Sequence, residues 1–365
     1  MTVATQDQPP VEGGARPGGV GRSAAIGLFV FLVLITAMLM VLSVPAGVYA
    51  VFSDRLSQTL HWTSPGHPYF WIGPAFGVVS FITISAGDWF LFLTGVYCLF
   101  MFISLRQKTG PLAAIRASFK QGIASLFSSP FLAFVIGTGF LSFTAFLIDN
   151  VVTSTGTGIG GPVGDPLSVF VGFTTAPLVE EFGFRVILIG LVALVLSLGR
   201  PWRDAFGALW RPSKALEGVA VGSAATFILW GATAFSAITF GACHVFCGTT
   251  WDIGKFPEAA FGGLVLGVLY VKYGFHVAVL VHWGIDYFGS AYAFFGQAAY
   301  GVDWTSSSNE FVGQLVVDVD MILVFGLASF LIVIYLLARR LAARKKVEAM
   351  GEFDKGLLGG GQAAT

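Results

Sequence analysis

The chain has 365 residues, with 20 Lys and Arg balanced by 20 Asp and Glu; 55% of it is hydrophobic and only 11% charged. Soluble domains average about 45–50% apolar with Gly counted and about 25% charged, so a disordered chain, a coiled coil and an ordinary soluble enzyme are excluded. A neutral balance leaves no basic surplus for phosphate, and no nucleic-acid partner is expected. Three cysteines cannot build a disulfide framework; Cys98, Cys243 and Cys247 sit in apolar sequence, where each can pack as a small hydrophobe. What remains is a polytopic membrane protein surrounded by a lipid bilayer.

Residues 1–23 form a polar, Gly/Pro-rich leader expected to be disordered. An uncharged run, Ala24–Ala50, follows; it is far longer than the about 7–15 residues of a signal-peptide core, so it reads as a retained span. A polar outer loop carries His61 and His67, to which no chemistry is assigned. The apolar segment Tyr69–Ser85 reads as interfacial or re-entrant, because a crossing there would move the basic loop Arg106–Lys120 to the other side. Further spans are expected at Gly87–Leu105, Leu126–Ile148, Leu167–Leu198, Gly218–Val245, Phe256–Val271, Phe275–Phe295 and Met321–Ala338, against a requirement of about 20 apolar residues each. Residues 339–365 are a basic tail. The expected fold is therefore an all-α polytopic transmembrane helical bundle of about eight spans, with one membrane domain over 24–338.

Basic residues test this scheme. With the amino terminus inside, only Arg55 and Lys255 fall outside, and Arg185 lies within a span. The positive-inside rule then places both termini in the cytoplasm. No long internal repeat supports the paired halves of many transporters.

The fourth span carries VEEFGFR, with Glu180, Glu181 and Arg185. Each charge at mid-membrane costs about 2.5–3.5 kcal/mol, so these groups must face protein or water. Glu181 and Arg185 are four apart and share a helix face, where they can pair. Glu180 points about 100° away. The fifth span sets Phe240 and His244 on one face, and the seventh does the same with His282 and Asp286. A structural ion pair that clamps two helices would explain span four alone; two imidazoles and an Asp on other spans fit hydrolysis better. His276 reads as interfacial, and Asp88, Asp318 and Asp320 as wet residues near span ends.

Hydrolysis needs an activated water, a proton acceptor and donors for the developing oxyanion. Glu181, occupied by Arg185, and Glu180, clear of it, can divide labour. Glu180 is then the general base and later the acid, His244 helps to hold the water, and His282, oriented by Asp286, donates to the oxyanion. No GxSxG or HExxH is present, and TGTGIGGPVG lacks the GK[ST] of a phosphate cradle. Zinc or another divalent metal held by Glu180, His244 and His282 remains open, since zinc accepts His and carboxylate together. On straight helices, however, His244 and His282 lie at different depths, so a broken or tilted helix is expected. Span four is too long to be regular, and Pro177 offers a break.

EExxxR (Glu180, Glu181, Arg185), FxxxH (Phe240, His244) and Hxxx[N/D] (His282, Asp286), in that order on apolar helices, resemble the CPBP family. These are the CAAX-protease and bacteriocin-processing intramembrane proteases, related to the type II CAAX prenyl endopeptidase. The stretch GGLVLGVLYVKYGFHVAVLVHWGID looks like the family's Gly-rich helix, short turn and His-bearing helix. The resemblance runs from Leu167 to Ser290 and marks 165–290 as a catalytic core. It implies an endopeptidase acting on membrane-associated peptides or proteins, including prenylated CAAX-type ones, and it leaves the glutamate and metal versions both open. Many relatives carry Asn where this chain has Asp286, which removes an amide donor there. A transporter or proton relay, and a catalytically idle scaffold or immunity protein, are the alternatives.

Overall fold

The computed structural model describes residues 19–54, 69–72, 76–79, 84–161, 166–217, 223–247, 250–301 and 323–345. The expectations for His61, His67, Asp318 and Asp320 lie outside these residues, as do those for most of the leader and tail. Helix α1 is Gly19–Phe52, so the last five leader residues are already helical. An antiparallel pair, β1 (Tyr69–Ile72) and β2 (Phe76–Val79), takes the place of the interfacial segment and adds one small ribbon to an otherwise helical bundle.

Helix α2 is Ala86–Leu105. Ser85 Oγ accepts from the Asp88 N–H at 3.1 Å and donates to its carboxylate at 2.6 Å, so Ser85 caps the helix and Asp88 is an exposed residue of its first turn. Next come α3 (Pro111–Gln121), a 3₁₀ turn (Ile123–Ser128) and α4 (Pro130–Ser154). The fourth span is one rod of three parts: α5 (Pro166–Glu181), a π-helical stretch (Phe182–Gly190) and α6 (Leu191–Leu196). Pro177 does not break α5; the expected irregularity lies just beyond Glu181 instead. Then follow α7 (Trp202–Trp210), α8 (Pro212–Ala215), α9 (Ser223–Phe246), α10 (Lys255–Tyr273), α11 (Phe275–Asp286), α12 (Phe288–Tyr300) and α13 (Leu323–Lys345).

Five helices among the described residues (α1, α2, α4, α9 and α13) are long and apolar enough to cross a membrane unaided. The other three expected spans do not meet that length and composition, for physical reasons. Span four changes hydrogen-bonding pattern at Phe182, α10 carries Lys255, Glu258 and Lys272 near its ends, and span seven divides at Tyr287 into α11 and α12. Tyr292 OH donates to Leu39 O at 2.7 Å and the Phe295 ring meets Tyr49, so α12 continues toward the far end of α1.

The loops sort by end. Arg211 Nε donates to Lys272 O at 2.9 Å, Tyr273 OH donates to Phe127 O at 2.6 Å, and Arg22 lies against Gly122, whose φ of +112° suits only glycine. At the opposite end, the Asp252 and Gly254 amides donate to Ile159 and Gly158. His276 belongs to the basic end but is fully buried rather than wet: it stacks on Trp210 and its Nε2 accepts from Gln107 Nε2 at 3.0 Å.

Every residue from Phe275 to Gly284 is buried, so α11 is the axis around which the other helices pack. Trp283 sits between Tyr97 and Tyr287, and Tyr97 OH donates to Thr174 O at 2.5 Å, tying α2 to α5. Glycines let α9 and α10 approach closely. A Cβ on Gly241 would lie 2.8 Å from Ala260 Cβ and 2.9 Å from Ala260 N, where backbone cannot yield. Gly241→Val should therefore destabilise the protein by about 1–3 kcal/mol, read as a lower melting temperature in detergent. Gly262→Val, with nothing within 4 Å of its Cβ, should not.

Candidate active site

Glu180 and Glu181 end α5, and the π-helical stretch begins at the next residue. Such insertions recur at functional sites because they change which face a helix presents. Glu181 and Arg185 are both fully buried and joined twice, Nε to Oε2 at 3.0 Å and Nη2 to Oε1 at 3.1 Å. The expected pair thus forms, as a two-point contact that sets both planes. Arg185 also donates through Nη1 to Ser236 Oγ at 3.2 Å, and its guanidinium lies 4.7 Å from the Phe240 ring centre.

Ser236 was not singled out by sequence reasoning. Its hydroxyl donates to Phe184 O at 2.7 Å, so this fully buried residue joins α9 to the π-helical stretch. A signal was there: Ser236, Phe240 and His244 recur every four residues on one helix face.

The register of α9 against α10 settles how His244 and His282 meet. Thr233 faces Gly267 and Phe240 faces Gly263. At about 1.5 Å per residue, Gly263 is about 15 Å along α10 from Tyr273, and His282 is about 10 Å along α11 from Phe275. Phe240 is therefore about one turn from the level of His282, and its ring touches both imidazoles, with centroids 4.6 Å from His244 and 5.8 Å from His282. The short α11, rising from the Gly274 turn, makes this convergence compatible with a nearly regular α9.

His282 has one neighbour that the spacing did not suggest. Its Nδ1 lies 3.0 Å from Glu181 Oε1, so Glu181 holds Arg185 and His282 together. Its Nε2 faces Asp286 Oδ2 at 3.3 Å, as expected, and Glu180 Oε2 at 3.9 Å. Glu180 Oε2 and Glu181 Oε2 are both buried without a hydrogen-bond partner, but Glu181 Oε2 is ion-paired to Arg185 at 3.0 Å, whereas Glu180 Oε2 has no contact with Arg185 and lies 3.9 Å from His282. His244 Nδ1 lies 2.9 Å from Phe240 O; a carbonyl only accepts, so Nδ1 carries a proton.

His244, His282, Asp286 and Phe240 line a cavity of about 70 Å³ together with Lys255 and Glu258, themselves an ion pair. Cys243 and Cys247 flank His244 and are disulfide-linked. They also pack on Phe184 and Phe240, so the expectation of apolar packing holds, and the link between them adds to it. Among the described residues no three His, Cys, Asp or Glu side chains are disposed to hold one metal ion, and Glu180, His244 and His282 do not fit that role.

Fold and site together define a multi-pass helical membrane protein with a carboxylate–imidazole cluster enclosed among its helices. Residues 162–288, which contain every member of that cluster, match the family described as Type II CAAX prenyl endopeptidase Rce1-like, about a third of the chain. No curated protein and no solved structure matches the chain.

Proposed function

We propose that the protein is an intramembrane endopeptidase that hydrolyses a peptide bond of a membrane-associated substrate, of the prenylated CAAX type, with water activated by Glu180. One observation carries this reading: of two adjacent carboxylates, Glu181 is held by Arg185 and His282 at about 3 Å, while Glu180 Oε2 has no hydrogen-bond partner and stands 3.9 Å from His282 Nε2. In the reaction, a water donates one hydrogen bond to Glu180 and the other to His244 Nε2. Glu180 takes the proton as the water oxygen bonds to the scissile carbonyl carbon. His282, held at Nδ1 by Glu181, turns Nε2–H toward the oxyanion, with Asp286 orienting the ring. Collapse breaks the C–N bond, and Glu180 returns its proton to the leaving amine. The basic end of the bundle, which gathers both described chain ends, faces the cytoplasm on this reading.

The test is cleavage of a prenylated CAAX peptide by the purified protein before and after dialysis against a chelator. Cleavage should persist through chelation and fall at least tenfold in His282→Ala. Loss on chelation that zinc restores would replace the glutamate mechanism by a metal one; indifference to His282→Ala would reject the site.

A further inference from the structure

A second cleft, of about 110 Å³, opens at the basic end of the bundle, away from the carboxylate cluster. It lies where the 3₁₀ turn, the end of α10 and the last turns of α13 meet. Lys272 and Arg340 line it together with Phe127, Val333, Leu336 and Leu337. Arg211 is close by, bonded through Nε to Lys272 O, and both Arg211 and Arg340 repel the Lys272 ammonium.

Among the described residues, none of these three cations has a carboxylate within 4.0 Å; the ion pairs involve Arg185, Lys255 and His282 instead. Lys272 meets the Tyr273 ring at 4.7 Å, which offers a quadrupole but no charge. The next cations along α13, Arg344 and Lys345, add to the same sign. Like charges gathered around one cleft set up a positive potential there, which favours an anion from outside the chain.

The walls say which anion. Val333, Leu336 and Leu337 continue the cleft along α13, where Leu331, Ile334 and Leu337 are about half exposed. A free phosphate would satisfy the cations and leave that apolar wall uncovered. A lipid whose head bears phosphate and whose chains run along α13 satisfies both. Basic pockets between membrane helices bind acidic head groups in this manner.

We propose that this cleft binds an anionic glycerophospholipid, its phosphate between Lys272 and Arg340 and its acyl chains along Val333 and Leu336 of α13. The site is separate from the proposed chemistry and does not depend on it.

The test is native mass spectrometry of the delipidated full-length protein with phosphatidylglycerol or phosphatidylcholine, alongside melting temperatures with each lipid or with inorganic phosphate. Wild type should retain phosphatidylglycerol over phosphatidylcholine by about tenfold or more, and the preference should collapse toward unity in K272Q/R340Q. Phosphatidylglycerol should raise the melting temperature of wild type but not of the double variant, and inorganic phosphate should raise neither. L336W keeps the cations and fills the apolar wall; it should also lose retention, which keeps the test intact if the double variant fails to fold. No lipid preference in wild type, undiminished preference in the folded variants, or an equal effect of inorganic phosphate would each overturn the proposal.

Discussion

Glu180→Gln should lower kcat for peptide cleavage by about 10²–10⁴-fold while KM changes little. The amide has nearly the shape of the carboxylate and can still touch a water, but it cannot accept that water's proton. Glu180 has no ion pair with Arg185 to lose, so the variant should fold and melt like wild type. Glu180→Asp, which keeps the base but draws it back by one methylene, should retain more activity than Gln. Full activity in Glu180→Gln would remove the general base from the mechanism, whatever the other residues do.

Arg185→Ala should act mainly on stability. Glu181 and Arg185 have no solvent exposure, and removing the cation leaves a carboxylate buried with only His282 beside it. Breaking such a pair costs about 3–5 kcal/mol, enough to move a membrane protein toward aggregation in detergent. Replacing both partners, in E181Q/R185Q, should recover most of that loss, because no uncompensated charge remains. Cleavage should stay at least tenfold down, since His282 Nδ1 then faces a neutral amide. Thermal unfolding and single-turnover cleavage on the same preparations separate the two effects. An Arg185→Ala variant as stable as wild type would show that water reaches the pair.

Much of this was legible in the chain because membrane helices obey few rules. Uninterrupted apolar length marked α1, α2, α4, α9 and α13, and the lopsided distribution of Lys and Arg anticipated that 106–122, 200–217 and 272–276 gather at one end. Helical spacing of four correctly paired Glu181 with Arg185 and His282 with Asp286. Spacing, however, reports a face and not which neighbour meets it. The contact between Glu181 and His282 links residues 101 apart and depends on helix register, as does the meeting of His244 with His282 through Phe240. The π-helical stretch has no local signature of comparable strength. Pro177 pointed to the wrong residue, since proline is tolerated inside membrane helices when neighbours accommodate it. Ser236 was overlooked because a hydroxyl in an apolar span is unremarkable until its partner is known to be Arg185.

The burial of α11 from Phe275 to Gly284 has one more consequence. The segment that carries His282 is shielded by other helices, so hydrophobic mismatch acts on α1, α2, α9 and α13 before it reaches that side chain. Such outer helices answer a thinner or thicker membrane by tilting, at fractions of a kcal/mol per Å. The setting of His282 should therefore be insulated from the thickness of the host membrane, whereas that of His244, carried by the outward-facing α9, should not.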